Sequence, residues 1–168
     1  SLAHKIRGIV NHGMYERYPQ DVVGVNSRLD SIQAAILDIK LKSLDRYNDS
    51  RKKSALKYTN LLKNHPKIIT PKVIGDEDSH VFHQYTMIIK DANRDDLAKY
   101  LNENQIPCGI YYPIPLHKQK AYQNDNYEND NFEITNSLSK SVLSLPMHTE
   151  LDDDQIKFIC EKIIKFLN

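Results

Sequence analysis

Glycine is scarce in this chain, five residues in 168, and no Gly-x-Gly-x-x-Gly, Walker loop or Gly-x-Ser-x-Gly elbow occurs. Nucleotide hydrolysis on a glycine-cradled phosphate and serine esterase chemistry are set aside on that ground. Cysteine is nearly missing too. Cys108 and Cys160 stand far apart and outside any Cys-x-x-Cys pairing, which argues against a disulfide framework or a cysteine zinc site and fits a reducing cytoplasm. Neither charge is in surplus: 23 Lys and Arg face 22 Asp and Glu, a formal charge of +1. A nucleic-acid partner held by bulk electrostatics leaves a basic excess, so none is expected. No apolar run approaches the roughly 20 residues that cross a bilayer, so membrane insertion is not expected either. A starting Met is also lacking. The opening Ser1-Leu2-Ala3-His4-Lys5-Ile6-Arg7 has no apolar signal region and reads as the interior of a longer protein.

What is present is an ordinary globular composition, 40% hydrophobic and 27% charged, in a length that allows one domain or little more. Between residues 27 and 64 apolar side chains recur at helical spacing: Leu29, Ile32, Ile36 and Ile39, then Leu37, Leu41 and Leu44, then Ala55, Tyr58 and Leu62. This predicts one very long helix or two in series. The polar stretch 48–54 interrupts the apolar face, so the two halves are expected to pack on different bodies, with a domain boundary inside the helix. Residues 81–90 read as a strand with Tyr85, Met87 and Ile89 on one face, and 108–112 and 142–147 as two more. Asn93 is a plausible N-cap for a helix carrying Leu97, Tyr100 and Leu101. Residues 133–140 form a short helix. A terminal helix opens on a capping box, Asp152 with Gln155, and buries Ile156, Ile159, Cys160, Ile163 and Leu167. Pro113 and Pro115 force an extended segment, and the Asn/Asp-rich stretch 123–131 is a loop. Strands alternating with helices give an α/β layer.

Several constellations have a plain structural reading. His80 and His83 lie three apart, which on a strand sends them to opposite faces rather than to one metal. Asp152-Asp153-Asp154 is explained by the positive end of a helix. Two clusters ask for more. In Gly24-Val25-Asn26-Ser27-Arg28-Leu29-Asp30 a glycine turn leads through an amide and a guanidinium into a helix start. Backbone N–H groups, the Asn26 amide and the Arg28 fork together suit a phosphate or carboxylate. The alternative is that Ser27 caps the helix and Arg28 pairs with Asp30 or Asp38. In Ile110-Tyr111-Tyr112-Pro113-Ile114-Pro115-Leu116-His117 two phenols and an imidazole surround rigid prolines, a set suited to sugar and nucleotide ligands. The alternative is a tyrosine-rich strand end packed in a core.

These blocks, together with His12-Gly13, Glu16-Arg17-Tyr18, Ser31-Ile32-Gln33-Ala34-Ala35 and Leu143-Ser144-Leu145-Pro146-Met147-His148, occur in an order that resembles the DegT/DnrJ/StrS family of sugar aminotransferases. The resemblance spans nearly the whole chain, and the Gly24 to Asp30 block looks most like members acting on UDP-linked 3-keto sugars. It implies a fold-type I enzyme using pyridoxal 5'-phosphate, which moves an amino group, usually from glutamate, onto a ketone of a nucleotide-linked sugar in amino-sugar and surface polysaccharide biosynthesis. It further implies that the family's Schiff-base lysine lies upstream of the His12-Gly13 motif, outside this chain. Lys5, in a helix-like segment past that place, is no convincing substitute.

The chain then corresponds to a carboxy-terminal part. Residues 1–45 would end the large domain and begin the connecting helix, and residues 46–168 would form the small α/β domain. Such a part is expected to be inactive alone and not to hold the cofactor. By the same resemblance, Asn26 matches an amide that reaches the cofactor phosphate of the neighbouring subunit. Arg28 matches a residue that contributes to the substrate across the same homodimer interface. Tyr112 and His117 match substrate contacts, and Tyr111 stands where many members have His before the Tyr-Pro pair. Two further readings stay open on the same scaffold. One is a nucleotide-sugar dehydratase, in which histidine replaces the lysine; the other is a non-catalytic member that binds a nucleotide sugar.

Overall fold

A computed structural model describes residues 1–122 and 131–168, so most of the expected Asn/Asp-rich loop lies outside the described residues. The chain divides into two compact units, Ser1–Leu44 and Asp45–Asn168.

The first unit holds helices α1 (Leu2–Val10) and α2 (Ser31–Leu41), joined by an extended loop. The Ser1 hydroxyl caps α1, and Asp30 caps α2 by accepting the Gln33 amide at 2.8 Å. Ser27 is therefore not the cap: Asp30 holds that place, one residue before the helix, with a charge that suits the positive end. The helical region predicted over 27–64 resolves into two helices in series, α2 and α3 (Leu44–Leu62). At the break the Ser43 amide turns to the Lys40 carbonyl, three residues back, and the α-helical ladder is interrupted.

The second unit carries most of α3, a small sheet, and helices α4 (Arg94–Glu103), α5 (Glu133–Ser141) and α6 (Asp153–Leu167). Its strands β1 (Ile68–Ile69), β2 (Tyr85–Ile89) and β3 (Val142–Leu145) lie in that order, antiparallel throughout, with Tyr85 opposite Leu145 and Ile88 opposite Val142. Alternation along β2 buries Tyr85, Met87 and Ile89 and leaves Thr86 and Ile88 half-buried. Tyr58 and Leu62 of α3, Leu97 and Leu101 of α4, Leu143 of β3 and the five-residue stripe of α6 close over them. Each large side chain so buried contributes about 1.5–3 kcal/mol. The helix starts follow their sequence signals: Asn93 Oδ1 accepts the Asp95 and Asp96 amides, and Asp152 and Gln155 form a reciprocal capping box.

The strands are shorter than the patterns predict. β2 begins at Tyr85, because Phe82 is left-handed (φ +49°) and its amide donates to His80 Nδ1, which turns the chain out of the sheet. Neither His80 nor His83 lies on a strand, and the His80 ring packs on Phe82 at 4.4 Å. Residues 108–112 make one bridge, Gly109 to Ser144, since Pro107 and Pro113 bring no N–H to a ladder. Pro146 ends β3 in the same way.

Candidate functional site

In the first unit the loop after α1 is fastened by its backbone to the end of that helix. The Val25 amide donates to Ile9 O at 2.8 Å and the Ser27 amide to Val10 O at 3.0 Å, which occupies two carbonyls that the helix end leaves without intrahelical partners. His12 N–H in turn donates to Val25 O. Gly13, at φ +81°, lets the chain fold back so closely that a Cβ there would stand 1.7 Å from Val22 O; one on Gly24 would stand 2.1 Å from Gly13 N. Two glycines thus permit a backbone-on-backbone contact that fixes the segment carrying Asn26 and Arg28.

Both of those side chains are exposed, and they touch: Arg28 Nε donates to Asn26 Oδ1 at 3.3 Å. Arg28 pairs with neither Asp30, which caps α2, nor Asp38, which meets Lys42 at 3.8 Å. The Asn26 amide nitrogen and the terminal guanidinium nitrogens carry no hydrogen bond among the described residues. They present donors and one positive charge to solvent, a combination that takes a phosphate or carboxylate. The α2 N-terminus does not join them, because the Asp30 carboxylate sits where the anion would go. A cleft of about 460 Å³ beside His12, Gln20 and residues 21–24 does not include Asn26 or Arg28.

In the second unit, the segment after Gly109 and helix α5 enclose a cavity of about 420 Å³. Tyr111, Tyr112, Ile114, Pro115, Leu116 and Gln119 form one wall, and Thr135, Leu138, Ser139 and Val142 the other. Buried Pro115 anchors the first wall. Tyr112 is 73% and Tyr111 46% exposed, so the two phenols are not a strand end packed in a core. Their rings meet edge to face at 5.7 Å. The Tyr111 ring lies against Gly109, where an added Cβ would stand 2.7 Å from it. His117 is outside this lining; its ring stacks on Phe132 at 4.5 Å and ties the proline segment to the start of α5.

Tyr111 also borders a second cavity, of about 400 Å³, with His83, Gln84, Cys108, Ser144 and His148. The half-buried Cys108 thiol there is held protonated above its ordinary range, chiefly by burial. Its hydrogen donates weakly to Ala98 O. His83, Ser144 and His148 were not singled out as site residues. The signal for two of them was the 143–148 motif, in which residues 144–148 all line this cavity where β3 ends.

Residues 1–164 match the DegT/DnrJ/EryC1/StrS aminotransferase family. The chain belongs to that family. It is 42% identical over 167 residues to a "Pleiotropic regulatory protein" of Geobacillus stearothermophilus, covering 98% of this chain and 44% of that protein. It is 37% identical to the UDP-N-acetyl-3-dehydro-alpha-D-glucosamine 3-aminotransferase of Acidithiobacillus ferrooxidans, over 99% of this chain and 44% of that enzyme. Among solved structures, that of S. venezuelae DesV in complex with a ketimine intermediate superposes with a TM-score of 0.86 at 31% identity, covering 98% of this chain and 44% of DesV. The DegT/DnrJ/EryC1/StrS fold is thus shared, and the chain spans less than half the length of the relatives it matches. No helix among the described residues is long and apolar enough to cross a membrane.

Proposed function

We propose that the chain supplies the carboxy-terminal part of a cytoplasmic, pyridoxal-phosphate-dependent aminotransferase. The complete protein moves an amino group from glutamate to the keto group of a UDP-linked sugar, in amino-sugar and surface polysaccharide biosynthesis. Residues 1–45 complete its large domain and 46–168 form its small domain. The observation that carries this reading is the family match over residues 1–164, and the 37% identical relative named for a UDP-linked 3-keto sugar supports the nucleotide and the keto position.

The exposed Asn26 and Arg28 fit a phosphate-bearing cofactor and a phosphate-bearing substrate: each offers uncommitted N–H donors, and their mutual hydrogen bond holds them side by side. In a homodimer with active sites shared across the interface, Asn26 donates to the cofactor phosphate of the neighbouring subunit and Arg28 binds the substrate there. Tyr111, Tyr112 and His117 serve the sugar or diphosphate, the phenols by flat apolar faces with polar tips. When bound, pyridoxal phosphate acts as the electron sink of the transfer. The lysine that anchors it belongs to the remainder of the protein, and the 168-residue chain alone is expected to hold no cofactor and to be inactive.

The test is the complete gene product supplied with pyridoxal phosphate, glutamate and a UDP-3-keto sugar. An amino sugar and 2-oxoglutarate formed in equal amounts support the reading. Absence of 2-oxoglutarate overturns it, and a dehydrated sugar formed without glutamate would replace transamination by water elimination. The regulatory name of the 42% identical relative favours a second reading, a member that binds the nucleotide sugar without turnover. Saturable sugar-nucleotide binding with no product would establish that one instead.

A further inference from the structure

Arg94 is 6% exposed, although it opens helix α4, where the positive end of the helix disfavours a cation. Neither helix propensity nor solubility explains an arginine there. Its guanidinium is spent elsewhere: Nη1 donates to Val142 O at 2.6 Å and Nη2 to Ser139 O at 3.1 Å, while Nε donates to Asp95 Oδ1 at 2.7 Å. Ser139 O is among the last four carbonyls of α5, which the helix itself leaves without partners, and Val142 is the C-cap of that helix. The charge lost at the start of α4 is thus regained at the negative end of α5, and exposed Asp95 offsets it at α4. Ser139 and Val142, at the end of α5 and the start of β3, are also two of the four residues in the wall that faces Tyr111 and Tyr112.

We infer that Arg94 is a positioning residue: by capping α5 from a neighbouring helix it sets the width of the tyrosine cavity, and with it the affinity for the sugar nucleotide. This rests on the proposed role of Tyr111 and Tyr112. Arg94 touches no substrate. Its planar fork reaches two carbonyls and a carboxylate at once, which the single ammonium of lysine cannot do. Arg94→Lys therefore keeps the buried charge and loses the geometry.

The experiment compares wild type, Arg94→Lys, Arg94→Met and Asp95→Asn in the complete holoenzyme, by steady-state kinetics and by amide hydrogen exchange. For Arg94→Lys the KM for the UDP-3-keto sugar rises about tenfold, a change equal to about 1.4 kcal/mol, while kcat and the KM for glutamate stay within about twofold. Arg94→Met, where it folds, raises the sugar KM further, and Asp95→Asn, at an exposed site, raises it less. Exchange quickens over residues 133–142 and stays slow in β2 and α6. Equal quickening in β2 and α6 would make Arg94 a general staple and overturn the inference, as would local quickening with an unchanged sugar KM. If the wild-type protein turns over no sugar nucleotide, it is the functional reading that fails. The exchange pattern, with Kd for UDP in place of KM, then decides the role of Arg94 by the same criteria.

Discussion

Arg28 Nε and Asn26 Oδ1 are joined at 3.3 Å, two residues apart on a loop whose backbone is fastened to the last carbonyls of α1. The bond turns a flexible guanidinium and a short amide into one exposed, oriented group of donors. A charged hydrogen bond to a bound anion contributes about 1.5–3 kcal/mol. Arg28→Ala in the complete enzyme is therefore expected to lower kcat/KM by about tenfold to a hundredfold, with the circular dichroism spectrum unchanged. Arg28→Lys should restore only part of it, since an ammonium cannot hold Asn26 and a ligand with one planar fork. Unchanged turnover in Arg28→Ala removes Arg28 from the substrate site.

The same loop depends on Gly13 and Gly24. A methyl at Gly24 would stand 2.5 Å from Ile9 O as well as 2.1 Å from Gly13 N, and both neighbours are backbone that cannot rotate away. Gly24→Ala should cost about 1–3 kcal/mol, read as a lowered Tm of the first unit. It should also reduce activity of the complete protein by displacing Asn26. Gly75→Ala is the control: φ is +97°, but no atom lies within 4 Å of the added Cβ, so its cost is conformational strain alone.

Much of this architecture was legible in the residues. The caps at Asn93 and Asp152, the stripe of α6 and the existence of β2 and β3 follow from spacing and side-chain chemistry that act within a few residues. Strand ends were legible only in part: Pro113 marked the end of 108–112, Pro107 and Pro146 were signals in the sequence that shorten the strands further, and the left-handed Phe82, which delays β2, has no local signal. The site was half readable. Motif order pointed to Asn26, Arg28 and the tyrosine segment, but three contacts lay outside it, one local and two distant in sequence. Asp30 rather than Ser27 caps α2, the His117 ring stacks on Phe132, and Arg94 reaches across 48 residues to Val142.

The capping box at α6 allows a clean stability test. Asp152 Oδ1 accepts the Gln155 amide at 2.8 Å, and Gln155 Oε1 accepts the Asp152 amide at 3.1 Å. Asp152→Ala should destabilise the chain by about 1 kcal/mol in urea titration, with an unchanged m-value, and Asp152→Asn by less. A loss near zero for Asp152→Ala would mean that α6 is held by its apolar stripe alone.

Cys160 and Tyr85 predict how the second unit fails at high pH. Cys160 is 2% exposed and Tyr85 fully buried, and burial pushes the thiol from 9.0 up to about 12 and the phenol from 10.0 up to about 12. Up to about pH 8 both groups are protonated in the folded and the unfolded chain, so neither makes stability depend on pH. Between about pH 8 and 12 the unfolded chain releases protons that the folded chain retains, first from cysteine and then from tyrosine. The unfolded state then binds fewer protons, and stability falls by up to about 1.4 kcal/mol per pH unit for each group. Urea midpoints should be flat to about pH 8 and drop above it; Cys160→Ala should lessen the earlier part of the drop, which Cys108 shares, and Tyr85→Phe the later part, which the buried Tyr58 phenol, also pushed up by burial, shares. At pH 8 a disulfide reagent should react slowly with half-buried Cys108 and reach Cys160 only on unfolding, because the thiolate is the nucleophile and burial both disfavours it at Cys160 and shuts the reagent out. Labelling of Cys160 at the rate of Cys108 in the native chain would show that the core opens without unfolding.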